Sequence, residues 1–314
     1  MLKNRSPFEL GATLYMPILK QDALAYISGE KLPELKSLVL CLEDALLERD
    51  VLIGLGILEK TLLQIGDVKR HSSSRNFPML FIRPRHIEMA QRVAQMAGIQ
   101  NIDGFVAPKM RNGDLEKWVH SIRGTDLLLM PTLETPEMFD AISVAELKSE
   151  LLSHAPDRII ALRVGGNDLM SCLGVRRTPR ATLYEGPLFY VVSMLMSVMG
   201  SSGFSLTSPV FEIIDDSEFL QKEVEKDVLF GFVGKTAIHP SQIHRIQLGF
   251  RADRMDYEAS VKILATDAEA VFKHGGSMCE PSTHRTWAQR ILDRARIHGI
   301  REQNDIPQIG AYST

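Results

Sequence analysis

Cysteine is scarce in this chain. The three present among 314 residues, Cys41, Cys172 and Cys279, form no C-x-x-C pair. That excludes a disulfide framework and a cysteine-built zinc site, and it fits a reducing compartment. A basic excess is also missing: 36 Lys and Arg against 39 Asp and Glu leave a net charge of −3, the wrong balance for a general nucleic-acid binder. No stretch is long enough to span a membrane. The most apolar one, LFYVVSMLMSVM over 188–199, is too short, carries two serines and reads as a helix buried against a sheet. The first thirty residues hold no apolar run of the kind a signal peptide needs, so a soluble, cytoplasmic protein without membrane or nucleic-acid partners is expected. The sequence has no G-x-x-x-x-G-K-S/T, no G-x-G-x-x-G after a strand and no G-x-S-x-G. Nucleotide hydrolysis, Rossmann binding and a serine nucleophile elbow therefore have no support.

What is present is an ordinary globular composition, 45% hydrophobic and 24% charged, able to bury a large core. Eight β-rich runs alternate with helix-like stretches: ATLYMP (12–17), SLVLCLED (37–44), PMLFIRP (78–84), GFVAPK (104–109), LLLMPTLE (127–134), RIIALRVGG (158–166), FSLTSPVFEII (204–214) and FVGKTAIHP (232–240). Most are continuously apolar, as parallel strands covered on both faces are. The stretches between them, such as HIEMAQRVAQMAG (86–98) and GDLEKWVHSIRG (113–124), are amphipathic and close on Gly, as helices with glycine C-caps do. The alternation predicts an α/β fold, a (β/α)8 TIM barrel over 10–245. An open doubly wound sheet is the alternative. After Pro240 the chain reads as helical, with RMDYEASVKILATDAEAVFKHGG and EPSTHRTWAQRILDRARIHG forming a C-terminal helical extension over 246–305 that packs on a neighbouring subunit. IPQIGAYST reads as a loose tail. No repeat or linker divides the chain, so 1–314 is expected to be a single domain.

The residues that close the apolar runs are polar: Glu43-Asp44, Arg83, Lys109, Glu134, Asp168 after Gly165-Gly166-Asn167, and His239. In a βα barrel the active site forms at the C-terminal rim of the strands, where these side chains would converge. Glu134 and Asp168 lie 34 residues apart on successive βα units. Two carboxylates completed by waters and substrate oxygens are how Mg²⁺ is usually held, and no nearby Cys or His points to zinc. The alternative for either acid is a helix N-cap. Gly165 and Gly166 would let a ligand approach the backbone closely. Arg83, stopped by Pro84, could present its guanidinium fork to a carboxylate or enolate oxygen, or bridge to Glu43 or Asp44. Lys109 fits either a Schiff base or another rim ion pair. The acidic FEIIDD after strand seven disfavours a sugar phosphate. The basic run VRRTPR (175–180) reads as a solvated loop or an anion contact, and Trp118 and Trp287 read as packing residues.

Taken in order, LYMP, LVLCLEDAL, FIRP, VAPK, PTLETPEMF, RVGGNDL and GFVGKTAIHPSQI resemble the citrate lyase beta-subunit group, within the aldolase and malyl-CoA lyase superfamily of TIM barrels. The likeness runs from about residue 12 to about residue 290. LGVRRTPRATLYEGPL, FSLTSPVFE and MCEPSTHRTWAQRI resemble a sub-branch of C–C bond lyases encoded in bacterial tellurium-resistance-type gene clusters. The resemblance implies a Mg²⁺-dependent carbon–carbon bond lyase, working by aldol-type cleavage or condensation on a 2-oxo acid, a hydroxy acid or its coenzyme A thioester. It makes Glu134 and Asp168 the Mg²⁺ ligands and Arg83 the contact to the 2-oxo acid oxygens. Glu43 and Asp44 support the arginine; beside what the resemblance implies, Gly165, Gly166, Asn167 and Lys109 are read from their place at the strand ends as further substrate-binding residues. The resemblance further implies a homo-oligomer, trimer or hexamer, in which Glu280 stands where relatives carry a carboxylate that reaches a neighbour's site. Three positions depart from the pattern: Cys41 replaces an acid before Glu43-Asp44, Arg85 replaces an asparagine, and ILKQD after Pro17 replaces a coenzyme A-binding stretch. A Schiff-base aldolase using Lys109 or Lys235, and a non-catalytic metal- or metabolite-binding subunit, are the competing readings.

Overall fold

The computed structural model describes residues 5–20, 22–71 and 77–302; the tail read at 306–314 lies outside them. The chain divides after Ile246 into two compact units. In the first, eight parallel strands close into a barrel in chain order: β1 (Gly11–Pro17), β2 (Ser37–Cys41), β3 (Met79–Arg83), β4 (Gly104–Ala107), β5 (Leu128–Leu133), β6 (Leu162–Val164), β7 (Leu206–Ser208) and β8 (Gly234–Ala237). All eight runs expected from the sequence are there, and β1 pairs with β8, so the open sheet is excluded.

The register states the barrel's geometry. Thr13 pairs with Ser37 and Ser37 with Met79; Phe81 pairs with Gly104 and Gly104 with Leu128; Thr132 pairs with Arg163, Arg163 with Thr207, Thr207 with Gly234 and Gly234 with Gly11. One circuit therefore advances two residues on β1, two on β3 and four on β5, about eight in all, the stagger that tilts an eight-stranded barrel. The observed strands are shorter than the apolar runs. Pairing stops at Cys41, Ala107 and Val164, which frees Glu43-Asp44, Lys109 and Gly165-Gly166 to turn over the rim.

Helices α1 (Ala23–Ile27), α2 (Val51–His71), α3 (Ile87–Ala94), α4 (Leu115–Ser121), α5 (Ala141–His154), α6 (Gly166–Cys172), α7 (Leu188–Leu195) and α8 (Ser217–Leu229) connect the strands, and α9 (Ser241–Gly249) follows β8. Their starts follow ordinary capping chemistry: Asp140 accepts from Ser143 N to open α5, and Asp216, the last acid of FEIIDD, accepts from Phe219 N to open α8. The apolar stretch at 188–199 is α7 and its continuation, burying Leu188, Val191, Val192, Leu195 and Met199. Trp118 is buried on α4, whereas Trp287 is partly exposed. Inside the barrel, Leu10, Val39, Met79, Phe81, Val106, Leu128, Met130, Ile160 and Ala161 form one apolar cluster drawn largely from the N-terminal halves of the strands, with Tyr15 packed against it. Among the described residues no helix is long and apolar enough to cross a membrane.

The second unit holds α10 (Arg254–Leu264) and α11 (Pro281–His298), with β9 (Ala252–Asp253) paired to β12 (Ile300–Arg301) and a hairpin of β10 (Phe272–His274) and β11 (Ser277–Cys279). The segment VFKHGG is therefore not the end of a helix. Gly275 and Gly276 both have positive φ, 55° and 87°, the backbone of a tight two-residue hairpin turn, and they serve as its loop instead of as a C-cap.

Candidate active site

A cavity of about 230 Å³ opens among the C-terminal ends of the barrel strands, lined by Tyr15, Asp44, Arg83, Thr132, Glu134, Arg163, Val164, Gly165, Gly166, Asn167, Asp168, Val210, Thr236 and Ile238. Six of the residues read from the sequence as a site, besides Asp44, thus meet in one place: Arg83, Glu134, Gly165, Gly166, Asn167 and Asp168. Glu43 and Lys109 bind to this set from its edge. Glu280 belongs to the second unit, where its carboxylate accepts hydroxyl bonds from Ser282 (3.0 Å) and Thr283 (3.2 Å) at the start of α11. A larger cleft near Arg5, Pro156, Ile160 and Ser205 lies beside the N-terminal ends of the strands, the face that carries stability in barrels, not chemistry.

Glu134 follows β5 and is 4% exposed. Its Oε1 accepts from the Lys109 backbone N–H at 2.8 Å and from Arg83 Nη2 at 3.3 Å; both bonds fall on the same oxygen. Oε2 lies over Gly165, where a Cβ would stand 2.2 Å away. Gly165 is thus needed for close approach, since its φ of −90° is open to any residue. Gly165→Ala is expected to displace Glu134 and to lower unfolding stability by about 1–3 kcal/mol, the usual range for forced overpacking; a urea titration checks this, and an unchanged midpoint would mean the carboxylate is not seated as described. Burial pushes the Glu134 carboxyl up to about 7, against the pull of Arg83 and with help from the Asp168 charge.

Asp168 sits half-buried in the first turn of α6, while the N-cap position belongs to Gly165, so the capping alternative for Asp168 does not hold. The turn of backbone through Gly165-Gly166 brings its carboxylate to the same cavity as Glu134. Two carboxylates that follow adjacent strands, with no His or Cys lining the cavity, form a hard donor set. Among the described residues no cluster of three or more His, Cys, Asp or Glu gathers to hold a metal. A cation seated here would take two carboxylates from the chain and its remaining ligands from water or substrate, the habit of Mg²⁺.

Arg83, the last residue of β3, reaches Glu43 Oε2 at 3.0 Å, Asp44 Oδ2 at 3.5 Å and Glu134 at 3.3 Å. The bridge across the rim to Glu43 and Asp44 is thus formed, and the guanidinium lines the cavity as well. Burial works against its charge, but Glu134, Tyr15 and Glu43 together hold the guanidinium above its ordinary value, and its Nε has no hydrogen-bond partner. Glu43 is saturated: it accepts from Arg83, from the Asp44 backbone N–H at 2.9 Å and from Lys109 Nζ at 2.7 Å. Arg85, the departure from the resembled pattern, binds Leu42 O (3.0 Å), Leu46 O and Glu48 (2.8 Å), clamping the loop that carries Glu43 and Asp44.

Neither lysine is disposed as a Schiff-base nucleophile, which must be neutral to attack. Lys109 is pushed up to about 12, chiefly by its bond to Glu43. Its backbone is left-handed, φ 50°, a conformation uncommon outside glycine, and that twist aims its N–H at Glu134. Lys235 on β8 points away from the cavity into a buried network, 2.9 Å from both Glu223 and Asp227 of α8. Burial opposes its charge, yet Asp227 and Glu223 hold the ammonium above its ordinary value. Arg177, from the run read as a solvated loop, joins this network: its side chain is buried, pairs with Glu212 and Glu223, and donates to Val210 O at 3.0 Å. The acid Glu212 of FEIIDD is engaged there.

Sequence reading missed one cavity residue of consequence. Arg163 stands in the middle of β6, 2% exposed, with its guanidinium 5.0 Å from the centre of the Tyr15 ring and its Nη2 donating to Thr236 Oγ1. The only signal was a lone charge inside the apolar run IIALRV.

Residues 4–300 match the family described as C–C bond lyase of the TIM-barrel fold. A (3S)-malyl-CoA thioesterase of Cereibacter sphaeroides is 26% identical over 277 residues, 88% of this chain and 88% of that protein. The citrate lyase subunit beta of Escherichia coli is 26% identical over 161 residues, 48% of this chain and 51% of its own. Among solved structures, the protein CitE from Mycobacterium tuberculosis in complex with magnesium, acetoacetate and coenzyme A has a TM-score of 0.65 at 21% identity, covering 91% of this chain and 98% of that one. A citrate lyase from Burkholderia xenovorans has a TM-score of 0.69 at 16% identity, covering 95% and 94%. These structural likenesses speak to the fold.

Proposed function

The chain belongs to the C–C bond lyases of the TIM-barrel fold, and we infer from its cavity that it is a Mg²⁺-dependent enzyme of the citrate lyase beta type, which splits a hydroxy acid or its coenzyme A thioester by aldol-type cleavage into a 2-oxo acid and a second acid or its thioester, or joins the two in reverse. The observation that carries this reading is the meeting of Glu134 and Asp168 beside Arg83 in one cavity at the C-terminal rim. The magnesium of the Mycobacterium tuberculosis complex supports the choice of ion. When bound, the cation supplies Lewis acidity toward the 2-oxo acid's oxygens. Glu134, held on one oxygen by Lys109 N–H and Arg83, and Asp168 would hold it. Arg83 donates to the charge that develops on oxygen as the bond breaks. Glu43 and Asp44 fix the arginine's orientation, and Glu43 also keeps Lys109 charged at the edge. Gly165, Gly166 and Asn167 leave the backbone open to the ligand.

A proton must also move, and every acid of the cavity rim is engaged in holding a cation or an arginine. We assign that task to Glu280 of a neighbouring chain in a cytoplasmic trimer or hexamer, a reading supported by its place in the resembled pattern; the free thiols of Cys41, Cys172 and Cys279 suit that compartment. The test is turnover of a panel of hydroxy acids and their coenzyme A esters with Mg²⁺, with EDTA, and with borohydride. Metal-dependent cleavage without borohydride trapping is expected. Activity that survives EDTA, or binding without turnover across the panel, would replace this reading with a Schiff-base aldolase or a non-catalytic subunit. In the same assay, mixing Asp168→Ala and Glu280→Gln chains is expected to restore activity that each lacks alone, which follows only when the two groups act across a subunit boundary.

A further inference from the structure

Strands β7 and β8 stop pairing early. Their last ladder pair is Ser208 with Lys235, and three residues further along each chain stand Phe211 and Ile238, counterparts in the same register. A side chain joins them instead of the ladder. Gln242, in the first turn of α9 and 1% exposed, donates from Nε2 to Phe211 O at 2.8 Å. Its Oε1 accepts from Ile238 N at 3.0 Å and from His239 N at 3.4 Å. One amide thus offers a donor to the carbonyl on one side and an acceptor to the N–H groups on the other, a pairing that an ionised glutamate of equal length cannot make. Past the end of the ladder, the separation of the two strand exits is set by the length of this side chain.

The β7 side of this junction is fixed independently. Val210 O accepts from Arg177 Nη2 at 3.0 Å, and the same guanidinium lies 5.1 Å from the centre of the Phe211 ring. Pro209 is pressed against the start of α6, where a Cβ on Gly166 would stand 2.7 Å from it. Val210 and Ile238 both line the cavity. Glu134 after β5, Asp168 after β6 and Arg83 at the end of β3 give the cavity its charged side; Val210 and Ile238 give it an uncharged wall. We propose that Gln242 is a positioning residue that decides which chain length the site accepts: it spaces Val210 from Ile238, and that spacing limits the hydrocarbon part of a 2-oxo acid held at Glu134, Asp168 and Arg83. The inference rests on the proposed function and adds its size selectivity. A single methylene in an apolar pocket changes selectivity by about tenfold or more.

The test uses acids that lengthen by one methylene at each step. Binding of pyruvate, 2-oxobutyrate and 2-oxovalerate to the full chain with Mg²⁺ is measured by calorimetry, and the wild-type protein is expected to favour one of them over the weakest by about fivefold or more. Gln242→Asn keeps donor and acceptor on a side chain one methylene shorter. It is expected to draw the exits together and move the ratio of 2-oxovalerate to pyruvate affinity about fivefold or more toward pyruvate. Gln242→Glu keeps the length but sets an acceptor against Phe211 O, and is expected to move the ratio toward 2-oxovalerate. Val210→Ala, which widens the wall directly, is expected to do the same. Should Gln242→Asn fail to fold, the other two variants decide. A glutamine that served the fold alone would lower all three affinities by a common factor. That result, equal wild-type affinities across the series, or an unchanged ratio in Val210→Ala overturns the inference and leaves the proposed function standing. If the wild-type protein binds none of the three acids with Mg²⁺, the proposed function falls and the inference with it.

Discussion

Asp168→Ala is expected to reduce metal-dependent turnover by at least about 10²–10³-fold, the loss of about 3–4 kcal/mol that follows removal of one preorganised electrostatic group from an active site. The same substitution should leave unfolding stability within about 0.5 kcal/mol of wild type. The contrast follows from the structure: the Asp168 carboxylate is half-buried at the cavity and takes part in no hydrogen bond or ion pair among the described residues, so nothing in the fold depends on it. Steady-state rates at saturating Mg²⁺, with a urea titration alongside, measure both. Wild-type turnover in this variant would remove the metal site from the mechanism; a large stability loss would recast Asp168 as a structural acid.

The largest effect on stability should come from the far side of β8. Lys235→Met is expected to cost about 3–5 kcal/mol, the usual consequence of removing one partner from a buried ion pair. Among the described residues, Glu223 would keep Arg177, but Asp227 would retain only the Tyr184 hydroxyl. Adding Asp227→Asn should recover at least half of the loss, because the orphaned charge and not the missing attraction dominates the cost. Denaturant midpoints of the single and double variants check this. If the double variant were no more stable than the single one, the ammonium would be acting through packing alone.

The contrast between Lys235 and Thr236 shows how far the sequence could be read. The strands were legible because each is a run of apolar residues long enough to be buried on both faces. The rim was legible because a buried run that ends in charge has to surface there. Facing direction was the weak point. Successive side chains on a strand alternate faces, so once Thr236 and Ile238 line the cavity, Lys235 between Gly234 and Thr236 must point to the helices. The spacing of Glu223 and Asp227, four apart on α8, was a further sign of a buried acidic face waiting for a cation. Arg163 escaped because its neighbours are apolar and the run was read as a whole, not position by position. The hairpin at Gly275-Gly276 escaped because a glycine pair after an amphipathic stretch looks the same whether it stops a helix or reverses a strand.

The apolar cluster around Leu10, Phe81 and Met130 has a consequence for access. It plugs the barrel from below, so no route runs through the barrel to the cavity. Any ligand must come and go past the strand ends that carry Glu134 and Asp168, and the loops at that end, not the barrel wall, govern its entry.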